Sequence, residues 1–154
     1  MSDKKPDIDT AKAHSVRLEN IFARLAAIPE GYDIISFLHR EKVEVVFKPD
    51  SRSEAASVFT ITRVFNKSFE YGRMKIVLNE RLGDNNVLQA LIHEAQHIRH
   101  HLNGVGNPDC ILPTQQHQQL RAIQEADAQA TAIDVCFKLK LQGDDMPYVR
   151  TGAI

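Results

Sequence analysis

The segment His93-Glu94-Ala95-Gln96-His97 constrains this chain most, and an apolar-periodic run, residues 87–92, directly precedes it. Two histidines four residues apart lie one above the other on the same face of an α-helix, so both imidazoles can reach one metal ion. Glu94 points about 100° away around the helix, beside such an ion and not onto it. A carboxylate there can act as a general base that takes a proton from an attacking water molecule. The segment therefore predicts a helix that binds a metal ion.

Hydrophobic periodicity and turn residues predict an alternation of helices and strands along the chain. The predicted helices cover residues 11–28, 32–40, 85–103 and 114–142, and the predicted strands cover 43–47, 58–65 and 75–79. Pro29 and Gly31 are expected to break the chain between the first two helices. Turn residues at 66–68 and 71–73 suit an antiparallel meander of the three strands.

The third predicted helix carries the histidine pair. Asp84 or Asn85 is expected to cap its start, and Gly104 its end. Its apolar stripe runs beside His93 and His97, which places the pair at the edge of the core, where a cleft can form. The residues of this stripe are Val87, Leu91, Ala95, Ile98 and Leu102. In the last helix the corresponding stripe is expected at Ile123, Ala126, Ala130, Ile133, Phe137 and Leu141.

Composition bounds the class of protein. A chain of 154 residues fits a single domain, 1–154, that can bury a core. Its 19 basic and 20 acidic residues are scattered, which argues against nucleic acid or an anionic membrane as a partner. Residues 1–10 are polar, are expected to be a disordered lead, and do not resemble a secretory signal. No segment is apolar over the length of a bilayer, so we expect a cytoplasmic protein, with export without a cleavable signal left open.

The two cysteines, Cys110 and Cys136, are too few for a disulfide framework or a four-cysteine zinc site. We expect two buried or idle thiols, with a single bridge between them as the alternative.

The order of strand, Asp/Asn cap, H-E-x-x-H helix, loop and a helix with Glu125-Ala126-Asp127-Ala128 resembles small bacterial metallopeptidase domains of the gluzincin-like zincin type. The resemblance covers residues 75–142, a little under half of the chain, and the first seventy residues carry no part of it. It implies an α+β fold, in which a short antiparallel or mixed sheet packs on the H-E-x-x-H helix and on a second, acidic helix.

The resemblance also implies the ligands of one Zn²⁺ ion per chain. Catalytic zinc has three protein ligands and one open position, and gluzincins take the third ligand from a glutamate on a second helix. Glu125 would therefore join His93 and His97, while Asp127 would be an acceptor behind them that orients a histidine ring. Because Glu125 and Asp127 are about 200° apart on a straight helix, Asp127 remains the alternative ligand. In several gluzincin families the glutamate precedes the aspartate by four positions, and Ile123 stands there in this chain.

Two further histidines, His100 and His101, follow the motif. A metzincin pattern would need glycine at position 100 and histidine at position 103, where this chain has His100 and Asn103. Both histidines are expected to be solvated near the C-terminus of the helix, where positive charge is favoured. Zinc follows from the ligand types, and other divalent first-row ions would suit the same ligands.

The expected function is a zinc-dependent metallopeptidase that cleaves a peptide or protein substrate, with Glu94 as general base. The resemblance implies that residues 75–79 form an edge strand that pairs with the substrate by strand addition. The alternatives are a zinc-binding regulatory or interaction module without catalysis, and a toxin or effector that acts in another cell; a nucleic-acid role has the least support. Candidates for a residue that stabilises the oxyanion are Tyr71, His117, Arg121 and Tyr148.

Overall fold

A computed structural model describes residues 8–49, 57–66, 69–104 and 114–144, with the backbone alone in 57–66 and 69–72. This part of the chain is mostly helical with one small sheet, which fits the predicted α+β class. None of its helices is long and apolar enough to cross a membrane. In chain order the elements are α1 (Ile8–Leu25), α2 (Pro29–Arg40), β1 (Glu44–Lys48), β2 (Ser57–Asn66), β3 (Phe69–Asn79), α3 (Asp84–Leu102) and α4 (Thr114–Leu141).

The sheet has the order β1-β3-β2, so β3 is its central strand. β2 and β3 form an antiparallel hairpin with partners from Ser57↔Leu78 to Asn66↔Phe69. β1 lies parallel to β3 on its other side, from Glu44↔Lys75 to Lys48↔Asn79. The predicted antiparallel meander is therefore wrong, because β1 pairs with β3 and not with its neighbour in sequence. Residues 71–73, predicted as a turn, lie within β3, where pairing with β2 prevails over the local preference of Gly72.

The central position of β3 also changes the expected substrate strand. Residues 75–78 pair with β1 on one side and with β2 on the other. Their backbone donors and acceptors are used by two neighbours, so an incoming peptide cannot add to them. The prediction that residues 75–79 form an edge strand is wrong.

The boundaries of the first two helices differ slightly from prediction. α1 begins at Ile8, so residues 8–10, expected in the disordered lead, are helical. Pro29 is the first residue of α2 and does not merely break the chain. A backbone N–H at the first helical position has no partner within the helix, so the absence of this group in proline does no harm there. Gly31 is required for a close approach, since a Cβ there would lie 1.8 Å from the backbone oxygen of Leu25.

The third helix agrees with prediction in its length and in most of its buried face. Val87, Leu91, Ala95 and Ile98 are buried, whereas Leu102 is exposed at the helix end. The N-cap is Gly83, without a side-chain cap bond, so the predicted Asp/Asn cap is wrong. Asp84 instead accepts a hydrogen bond from Arg17 Nε at 2.7 Å, which joins α3 to α1. Gly104 follows the helix with φ +78°, as expected for a C-terminal cap.

The last helix buries a different face from the one predicted. Ile123 and Leu141 of the predicted stripe are exposed. The buried positions are Ala128, Ala132, Val135, Cys136 and Leu139. α4 has apolar residues on more than one face, so periodicity alone does not choose between them, and Ala128 and Ala132 allow close packing on α3. Cys136 is a free, buried thiol, as expected, and burial raises its pKa to about 12; Cys110 lies outside the described residues.

Candidate metal centre

The two histidines of the H-E-x-x-H motif face one point from α3. They are four residues apart on this helix, and their Nε2 atoms approach to 3.1 Å. Both side chains are about four-fifths covered, with exposures of 20% for His93 and 18% for His97. The pair therefore lies at the edge of the core, as the sequence predicts.

Glu125 joins this pair from α4. Its Oε2 atom lies 3.2 Å from His93 Nε2 and its Oε1 atom lies 3.0 Å from His97 Nε2. The Glu125 side chain is 63% exposed, so the group opens to solvent on the α4 side. Within the described part of the chain, His93, His97 and Glu125 are the only cluster of metal-ligating side chains whose donor atoms all lie within 4.8 Å of one another.

The donor atoms fit a small divalent ion. Two donors that each lie about 2.0 to 2.1 Å from a tetrahedral ion are separated by roughly 3.3 Å. The three closest separations between the side chains are 3.0, 3.1 and 3.2 Å. Two imidazoles and one carboxylate form a donor set that suits zinc and leaves a fourth position for a water molecule or a substrate. A structural site would be closed by a fourth protein ligand.

The electrostatics of His97 favour the form that binds metal. Burial lowers the pKa of His97, the opposed charge of Glu125 raises it, and a second imidazolium at His93 would lower it. The net effect of these influences is a lowered pKa, so the neutral ring is favoured. Only the neutral imidazole offers a lone pair to a metal ion.

Glu94 is buried beside this group. It is 8% exposed and, with Asn79, is one of the two buried polar residues in the described part of the chain. Its carboxylate is close enough to His97 to raise the pKa of that ring. Burying a carboxylate is unfavourable unless partners or a metal ion compensate. A buried acid next to a histidine pair is also a common property of a general base in a catalytic site.

Asp127 contacts a histidine of α3 other than the two expected ligands, His93 and His97. Its Oδ2 atom accepts a hydrogen bond from Gln96 Nε2 at 2.8 Å and lies 2.6 Å from His100 Nε2. These two hydrogen bonds, with that from Gln96 contributing more, lower the pKa of Asp127. Asp127 thus joins α4 to α3 beside the histidine pair.

The angle between Glu125 and Asp127 explains how both acids can reach α3. Gln124 and Ala128 lie between them around the helix, on the side that packs against α3. Ala128 is completely buried there. Glu125 and Asp127 therefore flank the contact face, one on each side. No distortion of α4 is needed, because the two carboxylates meet different residues of α3.

The structure brings in two residues that the sequence did not suggest as parts of the site, Gln96 and His100. The expectation that His100 is solvated is wrong, since its side chain is only 14% exposed. The usable signal was the spacing, because Gln96 and His100 are four residues apart and lie on the helix face next to that of His93 and His97. The favourable position of a histidine near the C-terminus of a helix was enough to explain His100, so the spacing was not read as part of a site.

The oxyanion candidates are only partly described. His117 and Arg121 precede Glu125 on α4 by about two turns and one turn. His117 is half-buried and Arg121 is exposed. The side chain of Tyr71 and all of Tyr148 lie outside the described residues.

Comparison with known proteins supplies one match. A family model with the description "Putative metallopeptidase family (DUF6782)" matches residues 9–153, which is nearly the whole chain. No curated protein and no solved structure matches this chain significantly. The match includes the helices and strands before residue 75, which the resemblance drawn from the motif did not cover.

Proposed function

Because this chain belongs to the family described as "Putative metallopeptidase family (DUF6782)", we propose that it is a zinc-dependent peptidase of the gluzincin-like zincin type. The observation that carries the proposal is the convergence of His93, His97 and Glu125 beside a buried Glu94. Three metal ligands with an open position would also suit a metal-binding module without catalysis. A buried carboxylate next to these ligands suits catalysis.

His93, His97 and Glu125 would hold the ion. Glu125 is favoured over Asp127 as the third ligand because its two carboxylate oxygens lie 3.2 and 3.0 Å from the two imidazole Nε2 atoms. The carboxylate of Asp127 is engaged by Gln96 and His100 instead. A zinc ion held by these three side chains supplies Lewis-acid activation of water and of the scissile carbonyl.

Glu94 would move the proton. Its carboxylate takes a proton from the attacking water molecule and then donates it to the leaving amine of the cleaved peptide bond. Burial lowers the pKa of His97, which favours the neutral ring that can serve as a ligand. This division of roles needs a carboxylate at position 94 and nitrogen ligands at positions 93 and 97.

The substrate would be a peptide or a protein that approaches the open side of the site, where Glu125 is exposed. An extended substrate could not pair with β3, since both edges of its segment 75–78 are occupied. The outer edge of β1 or of β2 would have to serve if strand addition is used.

The test combines metal content with peptidase activity. Elemental mass spectrometry of the purified protein should find about one zinc per chain, with loss of zinc in Glu125→Ala and retention in Glu94→Gln. Cleavage of a mixture of synthetic peptides, followed by mass spectrometry, should fall by at least about 100-fold in Glu94→Gln because glutamine cannot accept the proton. Glu19→Gln, on the exposed surface of α1, is the matched control and should keep both zinc and activity.

Two results would contradict the proposal. A protein that takes up no zinc when it is offered would remove the site. Stable zinc without any cleavage over a broad peptide mixture would favour a binding module over an enzyme.

A further inference from the structure

We propose that Gln96, His100 and Asp127 form an interhelical bridge that positions Glu125 and thereby sets the metal affinity of the site. The proposal rests on the proposed metal site, and it concerns three residues outside the ligand set. They act through the placement of α4, so they are positioning residues.

The part of α4 that carries Glu125 has no fully buried residue. From Thr114 to Asp127 no residue is buried, and the first buried position is Ala128. Glu125 is itself 63% exposed. Glu125 therefore lies at the edge of the apolar contact between α4 and α3, where polar contacts can add to its placement.

The bridge supplies polar contacts at the required position. A single oxygen, Oδ2 of Asp127, forms hydrogen bonds with Gln96 Nε2 at 2.8 Å and with His100 Nε2 at 2.6 Å. Hydrogen bonds to an ionised acceptor are short and roughly twice as strong as bonds between neutral groups. Asp127 is only two residues beyond Glu125, so this contact limits how far the ligand carboxylate can move from α3.

His100 is well suited to a fixed contact. Its side chain is 14% exposed, and its ring centroid lies 5.9 Å from that of His97. Its Nδ1 atom is buried without a hydrogen-bond partner among the described residues, so the bond from Nε2 to Asp127 is what orients the ring. An unpaired Nδ1 atom is unfavourable, and the hydrogen bond to Asp127 offsets this effect by joining the two helices.

The bridge at Asp127 would place Glu125 on the opposite flank of the same helix. Glu125 and Asp127 lie on opposite flanks of the α3-facing side of α4. When Gln96 and His100 hold the Asp127 flank of α4 against α3, the Glu125 flank faces the two imidazoles. Glu125 then loses less conformational entropy when it binds an ion, because its backbone is already held in the required place.

The experiment measures zinc affinity of the full chain by competition with a chromogenic chelator. Asp127→Ala should weaken zinc binding by about 10-fold to 100-fold, the range found when residues that support metal ligands are removed. Asp127→Asn, which keeps an acceptor oxygen for Gln96 and His100, should lie closer to the wild type. Asp134→Ala removes an exposed aspartate one heptad further along α4 and should leave zinc affinity unchanged.

A double-mutant cycle identifies the route of the effect. Glu125→Ala, which should lose its zinc during purification, keeps His93 and His97 and can be titrated at high zinc concentration. If the bridge acts by positioning Glu125, Asp127→Ala should change this weaker zinc affinity little. An equal loss in both backgrounds would overturn the positioning role. A general structural role predicts a different result again, namely a lower stability of the metal-free protein with unchanged zinc affinity.

The outcomes separate this proposal from the function on which it rests. Zinc binding by the wild type that is unchanged in Asp127→Ala overturns the bridge alone. Absence of zinc binding by the wild type overturns the proposed function and the role of the bridge with it. If Asp127→Ala does not fold, Gln96→Ala, which removes one of the two bonds, is the variant that decides. Weaker zinc binding than in the wild type supports the bridge, and unchanged zinc binding overturns it.

Discussion

His97 illustrates how burial and charge act on one side chain. Burial lowers its pKa, and the nearby Glu125 carboxylate opposes that effect. The neutral ring is favoured even so, which leaves a lone pair on Nε2 at the point where three donor atoms meet. A histidine on the surface would keep its proton more readily and would be a poorer ligand near neutral pH.

Cys136 permits a prediction at the scale of one residue. Burial raises the pKa of this thiol from 9.0 to about 12, so its thiolate fraction at pH 8 is roughly 1,000-fold smaller than that of a solvated cysteine. In a Cys110→Ser background, iodoacetamide should therefore alkylate the native protein very slowly at pH 8 and rapidly in urea. Mass spectrometry over time measures both rates, and equal rates in the two conditions would show that Cys136 is accessible and ionised in the native state.

The same difference in pKa sets the sign of its effect on stability. The folded state keeps the Cys136 proton to a higher pH than the unfolded state does. Its contribution to the free energy of unfolding is therefore complete below about pH 9 and is lost as the pH rises from about 9 toward 12.

The contact between α3 and α4 is the element-scale feature that creates the site. Neither helix carries all the proposed ligands, and the small residue Ala128 lies between the flanks that carry Glu125 and Asp127. Hydrophobic periodicity predicted both helices to within a few residues of their observed ends, but it predicted the wrong face of α4. The face was decided by which side chains let α4 approach α3, and that is a property of the pair.

Ala128→Leu tests this contact. Added methylene groups at a completely buried position should force the helices apart and lower the free energy of unfolding by about 1 to 3 kcal/mol. Zinc affinity should fall as well, because the two donor sets separate. Urea unfolding of the metal-free protein and a zinc competition titration measure the two effects.

Ala126→Leu is the control for this substitution. It makes the same change on the same helix at an exposed position, so stability should change by no more than about 0.5 kcal/mol. If the two variants behave alike, α4 does not pack on α3 through Ala128.

At the scale of the whole molecule, the first helix, α1, is joined to the half that carries the site. Arg24 on α1 donates from Nε to Asp144 Oδ2 at 2.9 Å, just after α4, and from Nη2 to Asn85 Oδ1 at 2.8 Å, at the start of α3. Arg17 donates from Nη1 to the carbonyl oxygen of Glu80 at 2.9 Å, in the connection between β3 and α3. These contacts agree with a family match that extends from residue 9 to residue 153.

Zinc should stabilise the fold as a whole, because the three proposed ligands come together only in the folded chain. An ion present at 100 times its dissociation constant adds about 2.7 kcal/mol to the free energy of unfolding. For a domain of this size that corresponds to a rise in Tm of about 5 to 10 °C. Thermal unfolding followed by circular dichroism, with and without zinc, measures the rise, and a chelator should reverse it.

Two variants make this measurement specific. Glu94→Gln should respond to zinc as the wild type does, since Glu94 is not a proposed ligand. Glu125→Ala should respond much less. A similar rise in Tm for Glu125→Ala and for the wild type would place the stabilising ion elsewhere.

The sequence by itself determined most of the helices and strands and the chemistry of the first two proposed ligands. Periodicity along a helix is a local property, so the spacing of His93 and His97 was sufficient to place two imidazoles on one face. The resemblance limited the proposed third ligand to Glu125 or Asp127, and the geometry now distinguishes the surroundings of these two acids. Only the tertiary structure decided that Glu125 meets the histidine pair while Asp127 meets Gln96 and His100, and that β3 is the central strand. The physical reason is common to both: helix faces and strand partners are selected by contacts between segments distant in sequence, which no local pattern records.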